Sequence, residues 1–209
     1  MRWRLTSILL TLALLTTFGG RASATSMHPF SLDELIYVAD HVVVGEVVSV
    51  ESRFSRDGHA IYTYVEVAVS ERLKGAGGDT VTVWLLGGEV GDVGMAVEGT
   101  PEFDSGEQVL LFLEEMVHGL SVLGWAQGKF ALLYDSGRGE AVAERPVGYD
   151  AELFDGFGGE PPTLTELRET VRQRVAAAHV PVYREIPGLP ASKRAAFRAH
   201  HGLSEEVTR

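Results

Sequence analysis

The sequence has none of the short patterns by which hydrolase active sites are usually recognised. It contains no cysteine, which excludes thiol catalysis. Ser105 and Ser136 stand in acidic turns and lack the first glycine of the G-x-S-x-G turn that presents a nucleophilic serine. The zinc-binding pattern H-E-x-x-H is also absent. The residues therefore favour binding over catalysis, and an enzyme whose site is assembled from distant residues is the alternative.

The most unusual segment is the stretch 87–107, which contains six glycines. Its acidic residues Glu89, Asp92 and Glu98 would repel a phosphate, so a phosphate-binding loop is not expected. Carboxylates and backbone carbonyls are the oxygen ligands that Ca²⁺ prefers, although the spacing does not match an EF-hand loop. Two interpretations stay open: a loop that binds calcium or a partner, and a long connection that needs glycines only for its turns.

A second candidate binding segment follows a predicted strand and contains Trp125, Gln127 and Lys129. Aromatic rings and a cation beside the mouth of a β-barrel can grip a ligand. Packing of Trp125 and Phe130 into the core of the barrel is the alternative. Because long ordered loops in compact domains are often binding elements, we expect segment 87–107 and the turn 125–129 to form one recognition face.

His200, His201 and Glu205 combine imidazole and carboxylate groups, a mixture that binds zinc in proteins. They are close enough in sequence to share one face of a helix, but Gly202 interrupts that helix. A solvent-exposed terminus is the favoured interpretation. No zinc site is therefore predicted at the C-terminus. Calcium at 87–107 is the one candidate cofactor.

Short β-branched and aromatic runs between turn residues predict a mainly β domain. The predicted strands are 42–50, 61–69, 80–86, 108–113, 120–123, 128–134 and 141–144. Gly45 lies in the middle of the first run and predicts a bend or bulge. Because closure removes exposed strand edges, we expect an OB-like barrel of five or six strands.

Helices are predicted on both sides of these strands. Ser31 and Glu34, and again Thr163 and Glu166, have the spacing of a capping box. The second helix, 164–178, carries an apolar stripe that we expect to pack on the barrel. The stripe consists of Leu164, Leu167, Val171 and Val175.

Composition divides the chain into four parts. Residues 1–24 are a predicted signal peptide, and 25–145 are the predicted barrel domain with its N-terminal helix. Residues 146–162 are rich in Gly, Asp, Glu and Pro and are predicted to be a linker. Residues 163–209 form a helical extension that ends in a short basic helix, 193–201, and a flexible, frayed tail.

The N-terminus has the layout of a secretory signal. Arg2 and Arg4 precede a 14-residue apolar run, and Ala22-Ser23-Ala24 follow it. The run is shorter than the roughly 20 residues that a membrane-spanning helix needs. We expect cleavage after Ala24, no stable membrane anchor, and a secreted or periplasmic protein whose partner is another protein or envelope component.

The expected mature chain is strongly acidic. Removing Arg2, Arg4 and Arg21 from 18 basic residues leaves 15 against 29 acidic ones, a formal net charge of −14. Nucleic acid binding relies on clustered Lys and Arg, so nucleic acid is excluded as a partner. An acidic surface keeps an exported protein soluble, and adhesion to a cationic or calcium-rich partner is the alternative.

The order of these elements resembles the OB-fold barrel of netrin and TIMP domains over residues 32–134. The resemblance is carried by the first helix, the bent valine strand and the segments 62–65, 72–75 and 106–113. Netrin and TIMP domains are normally tied by cysteines that this chain lacks. A closer resemblance is to a group of exported bacterial proteins without an assigned activity. The residues that carry it are Gly87-Gly88, Gly94-Met95, Val97, Gly99, Pro101, Phe103, Gly106-Glu107 and 127–130.

The TIMP resemblance implies one specific mechanism. In TIMP domains, the α-amine and carbonyl of an N-terminal cysteine chelate the zinc of a metalloprotease. The expected mature N-terminal residue here is Thr25, which supplies no thiol. A non-enzymatic binding module is therefore the preferred prediction, and an exported hydrolase or a metalloprotease-inhibitor-like protein is the alternative.

Overall fold

A computed structural model describes residues 29–145, 157, 159–182, 186 and 189–202. The described chain is mainly β, with one large sheet and flanking helices, as the sequence predicts. The helices are α1 (Leu32–Val38), a 3-10 helix (Trp125–Gly128), α2 (Leu164–Ala176) and α3 (Ala191–His200). The strands are β1 (His41–Phe54), β2 (Ile61–Lys74), β3 (Thr80–Leu86), β4 (Gly88–Val90), β5 (Val93–Met95), β6 (Gln108–Met116), β7 (Gly119–Val122), β8 (Lys129–Asp135) and β9 (Glu140–Glu144). The predicted signal peptide and most of the predicted linker lie outside the described residues.

Both predicted capping boxes are confirmed. Glu34 N donates to Ser31 Oγ at 3.3 Å, and Ser31 N donates to Glu34 Oε2 at 2.8 Å. Thr163 and Glu166 make the same reciprocal pair, at 3.2 and 2.9 Å. These bonds satisfy amides that the first turn of each helix leaves free, which is why α1 and α2 begin where they do.

The two longest strands, β1 and β2, pair along their whole length with three register shifts. One shift falls between Val44 and Gly45, which confirms the predicted bulge. A Cβ at Gly45 would lie 2.3 Å from the carbonyl oxygen of Ala68, so no larger residue fits this close approach.

Strand pairing continues from β1 in both directions. β1 pairs antiparallel with β2 and with β6, β2 pairs with β3, and β6 pairs with β7. β3 and β7 run parallel and share one bridge, between Val83 and Leu120. β8 and β9 extend the sheet from β6. The β3–β7 contact is therefore the least extensively paired neighbour relation in this sheet.

The apolar core has two parts. The first is built from strand residues alone: Val43, Val47, Val65, Val67, Val81, Val83, Leu85, Val109, Leu111, Leu113 and Val122. The second lies between the sheet and the helices and includes Leu35 of α1 and Phe112 of β6. Leu167 and Val171 of α2 are buried in it, which confirms that the predicted stripe packs on the β domain.

The C-terminal region differs from the sequence-based expectation. Helix α3 packs against α1, where Phe197 is 2% exposed and its ring centroid lies 5.3 Å from that of Tyr37. The sequence predicts this helix but not its docking, in which burial of Phe197 holds it in place. The predicted frayed tail after it lies outside the described residues. Within the described residues, none of the helices combines the length and apolar character that a membrane span requires.

Two lysines hold the C-terminal end of α1. Lys74 Nζ donates at 2.6, 3.2 and 2.6 Å to the carbonyl oxygens of Ile36, Tyr37 and Ala39. Lys193 Nζ of α3 donates to the carbonyl of Val38 and, at 2.6 Å, to Asp40 Oδ1. Burial, together with the charge of Lys193, lowers the pKa of Lys74 to about 8. We call this region the lysine corner.

Candidate functional site

Segment 87–107 begins with a hairpin that the sequence analysis did not predict. β4 and β5 pair antiparallel, and Gly91 and Asp92 connect them. A Gly-Asp pair between two valines is a hairpin signal that the surrounding glycines obscured. Glu89, Asp92 and Glu98 are all exposed on this segment.

The hairpin is fixed to the ends of β1 and β2. Thr63 Oγ1 donates to the carbonyl of Gly87 at 2.7 Å and lies 2.8 Å from Ser52 Oγ. A Cβ at Gly88 would lie 2.2 Å from Thr63 Oγ1, so this position requires glycine. The segment is therefore anchored by specific contacts at its start.

The two predicted binding segments lie side by side, as the sequence analysis expected. Ala126 N, in the 3-10 helix, donates to the carbonyl of Gly99 at 3.0 Å. Thr100 Oγ1 donates to the carbonyl of Leu86 at 3.2 Å. These bonds join the second half of segment 87–107 to the Trp125 turn and to the end of β3.

Trp125 has an unusual backbone conformation. Its φ is 63°, in the left-handed region that bulky residues rarely adopt, and the preceding Gly124 has a φ of 62°. Trp125 is 46% exposed, so it is not the core residue that the alternative interpretation required. Local strain of this kind persists only where surrounding structure enforces it, and it clusters at binding and catalytic sites.

Gln127 and Lys129 are buried, at 2% and 8% exposure. Gln127 Oε1 accepts from the amide of Phe30 at 2.7 Å. Lys129 Nζ lies 2.7 Å from Glu107 Oε1 and 4.5 Å from the ring centroid of Phe103. Both side chains therefore make their contacts within the folded chain, and direct contact of either one with a ligand stays a prediction.

Two hollows flank Thr100 and Pro101. The first, which we call the aromatic groove, has a volume of about 550 Å³ and lies where β3, β7 and the 3-10 helix meet. The second, the loop cleft, has a volume of about 730 Å³ and lies between segment 87–104 and the ends of β1 and β2. Trp125 and Gln127 border the aromatic groove, and Glu89 borders the loop cleft.

The aromatic groove contains residues that the sequence analysis did not select. Side chains alternate along β2 and β3, so Tyr62, Trp84 and Leu86 share the face opposite buried Val83 and Leu85. The ring centroids of Tyr62 and Trp84 lie 5.8 Å apart with their planes at 74°. One feature of the sequence indicates this groove. At the end of β3, Trp84 and Leu86 lie on the face where a half-buried strand normally has polar residues.

Two polar groups of the groove residues lack partners. The indole Nε1 of Trp84 is buried and makes no hydrogen bond with any described residue. Glu114 is one of the lining residues, and among the described residues its carboxylate has no hydrogen bond or ion pair. Burial raises the pKa of Glu114, the charge of Asp40 raises it further, and Lys193 opposes both. A ligand in the groove can therefore supply the partner that Glu114 lacks in the described chain.

The described residues contain no group of three or more His, Cys, Asp or Glu side chains that could hold a metal ion. Glu89, Asp92 and Glu98 thus form no ligand cluster of their own, and calcium binding at this segment stays a prediction. His201 Nε2 lies 3.1 Å from the carbonyl of Pro181, and Glu205 falls outside the described residues.

No protein-family model matches the chain, and no curated protein shows significant similarity to it. Function must therefore be inferred from the geometry and chemistry of the site.

Proposed function

We propose that this protein is an exported, non-enzymatic binding module whose ligand occupies the aromatic groove. The observation that carries the proposal is the groove itself, a hollow of about 550 Å³ bordered by Tyr62, Trp84 and the strained Trp125. Ligand pockets typically have volumes of about 300–1,000 Å³ and mostly apolar and aromatic walls. The groove has both properties.

The proposal includes an OB-like barrel as the scaffold. The pairings β1–β2, β2–β3, β3–β7, β7–β6 and β6–β1 form a circuit of five strands with one parallel contact, and this supports a barrel. OB-folds are partly open five-stranded barrels that bind ligands on strands 2 and 3 and on the neighbouring loops. Tyr62 of β2 and Trp84 of β3 lie on the corresponding strands.

Export is supported by the N-terminal sequence alone. The basic residues, apolar run and small-residue site at 1–24 favour a cleaved signal. The acidic charge of the remaining chain suits a soluble exported protein. Exposed Glu89, Asp92 and Glu98 lie on the adjacent segment and extend the proposed recognition face toward a protein or envelope partner.

The lining of the groove favours binding over the hydrolase alternative. A hydrolase site is expected to be a concave site where at least two titratable groups converge. In the part of the lining that the structure describes, the titratable side chains are Tyr62 and Glu114, and no hydrogen bond joins them. The metalloprotease-inhibitor alternative is not favoured, because the chain has no cysteine to chelate zinc.

A fragment screen by NMR tests the proposal. Trp84 and Trp125 are the only tryptophans after residue 24, so their indole N–H signals report on the groove directly. We expect a panel of neutral, cationic and anionic fragments to include binders that shift these signals, and mass spectrometry to recover the binders unchanged. Trp125→Gly should abolish the shifts at Trp84. Tyr134→Ala, which removes an exposed aromatic outside the groove lining, should leave them intact.

Two results would overturn the proposed binding site. One is that fragments shift only the NMR signals of residues outside the groove, and the other is that fragments still shift the Trp84 signal in Trp125→Gly. Turnover of a bound fragment would favour the hydrolase instead. A panel in which no fragment shifts either indole signal would also count against a ligand-binding groove.

A further inference from the structure

Glu114 differs from the other partly buried carboxylates of the sheet. Glu107 is paired with Lys129, and Glu71 is paired with Arg168 at 2.7 Å. Glu114 makes no such contact in the described chain, although neighbouring structure shields it enough to raise its pKa. A shielded carboxylate normally has a charged or hydrogen-bonding partner, because loss of hydration is otherwise uncompensated. A bound cation would supply that partner.

The charge of the groove favours the same ligand class. Among the described residues, its lining includes Glu114 and contains no Lys, Arg or His. The ammonium of Lys193, whose charge acts on Glu114, is itself paired with Asp40. The chain as a whole carries a formal net charge of −11, which attracts cations and repels anions over distances of about a Debye length. The groove is thus electrostatically complementary to a positively charged ligand.

The aromatic walls suit an organic cation better than a hydrated metal ion. The faces of Trp and Tyr rings attract alkylammonium groups, and enclosures of such rings recognise quaternary ammonium ligands. Trp84, Trp125 and Tyr62 provide these rings, and Met116, Leu86 and Pro101 add apolar surface for an alkyl chain. The volume of about 550 Å³ exceeds that of a single ion and matches a small molecule.

We propose that the aromatic groove binds a small organic cation, an amine or quaternary ammonium group on a short apolar chain, with Glu114 as its counter-charge. This inference rests on the proposed binding function and specifies its ligand class. Trp84 and Trp125 would contact the ammonium or its methyl groups, and the apolar walls would hold the chain.

Two matched pairs of probes isolate the contribution of charge. Choline and 3,3-dimethylbutan-1-ol have nearly the same shape and differ in charge, as do pentylammonium and pentan-1-ol. We expect the cation of each pair to bind at least about tenfold more tightly than its neutral analogue, measured by tryptophan fluorescence and calorimetry. The full exported chain is used throughout.

Glu114→Gln and Glu115→Gln form a matched pair of variants. The two residues are adjacent on β6 but point to opposite faces, and Glu115 is exposed and pairs with His41 at 3.1 Å. Glu114→Gln should remove the preference for the cation and leave affinity for the neutral analogue within about twofold. Glu115→Gln should leave both affinities unchanged. The melting temperatures of both variants verify that they fold.

The pH dependence of choline binding gives an independent readout, because choline keeps its charge at every pH. Affinity should fall when Glu114 becomes protonated, at a pH above the range of an exposed carboxylate, because burial and Asp40 raise the pKa of Glu114. The other titratable groups nearby are Asp40, Lys193, Tyr62 and His118, which packs on Trp84. His118→Asn should leave the midpoint unchanged, and Glu114→Gln should abolish the transition.

The outcomes separate this inference from the proposed function. Equal binding of charged and neutral probes, or a cation preference that survives Glu114→Gln, would overturn the cation assignment and leave a ligand-binding groove. Binding of a lysine-containing peptide without binding of choline or pentylammonium would also overturn it. If the wild type binds none of the four probes, the cation assignment is overturned, and the fragment panel decides separately whether the groove binds a ligand.

Discussion

The lysine corner and the aromatic groove differ in whether their shielded polar groups have partners within the chain. At the corner, Lys74 and Lys193 meet four backbone carbonyls and Asp40. At the groove, the Glu114 carboxylate and the Trp84 indole N–H have no partner in the described chain. Asp40 and Lys193 lie close enough to Glu114 to influence its pKa, so the two regions are neighbours.

The difference shows which region stabilises the fold and which region keeps polar groups without partners. Satisfied polar groups hold helices in place, whereas unsatisfied ones cost free energy that the rest of the fold must offset. The groove also retains the strained Trp125, which adds to that cost. Features that lower stability without a structural role are expected at sites that bind ligands.

The largest effect is expected from the helical side of the core. Leu167 is 1% exposed, so Leu167→Asp places an unpaired charge among apolar side chains. We expect the free energy of unfolding to fall by about 4 kcal/mol or more, measured by urea titration. Glu169→Ala, an exposed change on the same helix, should alter it by less than about 0.5 kcal/mol. Equal stability of the two variants would show that α2 is dispensable to the domain.

Lys74→Met tests the lysine corner directly. The variant keeps an apolar side chain of similar length but leaves the carbonyls of Ile36, Tyr37 and Ala39 without their donor. We expect a loss of about 3 kcal/mol in the free energy of unfolding. Arg56→Met, at an exposed position in the β1–β2 connection, is the control. A loss below 1 kcal/mol would contradict the contrast between corner and groove.

The pKa of Lys74 adds a pH dependence with a definite sign. Its folded pKa of about 8 lies below the ordinary value of 10.5, so between these limits the unfolded chain binds more protons. Stability of the wild type should therefore rise with pH relative to Lys74→Met across this window. Urea titrations at pH 7, 8, 9 and 10 measure the difference. If the difference in free energy of unfolding between the two proteins decreases as the pH rises, the carbonyls keep the Lys74 ammonium charged.

Trp125 tests the cost of the groove. Glycine adopts a φ near 63° without strain, whereas alanine does not. We expect Trp125→Gly to be more stable than Trp125→Ala by about 1 kcal/mol, measured by thermal unfolding, with fragment binding lost in both. If alanine proves as stable as glycine, the strain assigned to this position is absent.

The smallest effect on stability is expected from the exposed acids of segment 87–107. Replacing Glu89 and Glu98 by Gln and Asp92 by Asn should change the free energy of unfolding by less than about 0.5 kcal/mol per position. Calorimetry with calcium chloride, on wild type and variant, tests the calcium interpretation. Calcium binding lost in the variant would support it, and a wild type that binds no calcium would exclude it.

Local chemistry explains which parts of the fold were predictable. Residues that are neighbours in the chain determine the capping boxes at Ser31 and Thr163 and the bulge at Gly45. They also determine the seven strands of the large sheet. The β4–β5 hairpin was not predicted, because several glycines surround its Gly91-Asp92 turn and the turn does not stand out in the sequence. The docking of α3 was missed because it depends on Phe197 meeting Tyr37, which is remote in sequence.

By itself, the sequence determined the strands of the large sheet, the starts of two helices and the two segments that meet at the proposed recognition face. Only the tertiary structure decided which side chains face the groove and which are buried beneath it. Lys129, a candidate ligand-binding residue from the sequence, is buried and paired with Glu107. Glu114, adjacent in sequence to the exposed Glu115, lines the groove without a partner in the described chain. The physical reason is that burial and pairing depend on residues brought together from separate strands, and no local spacing records which residues those are.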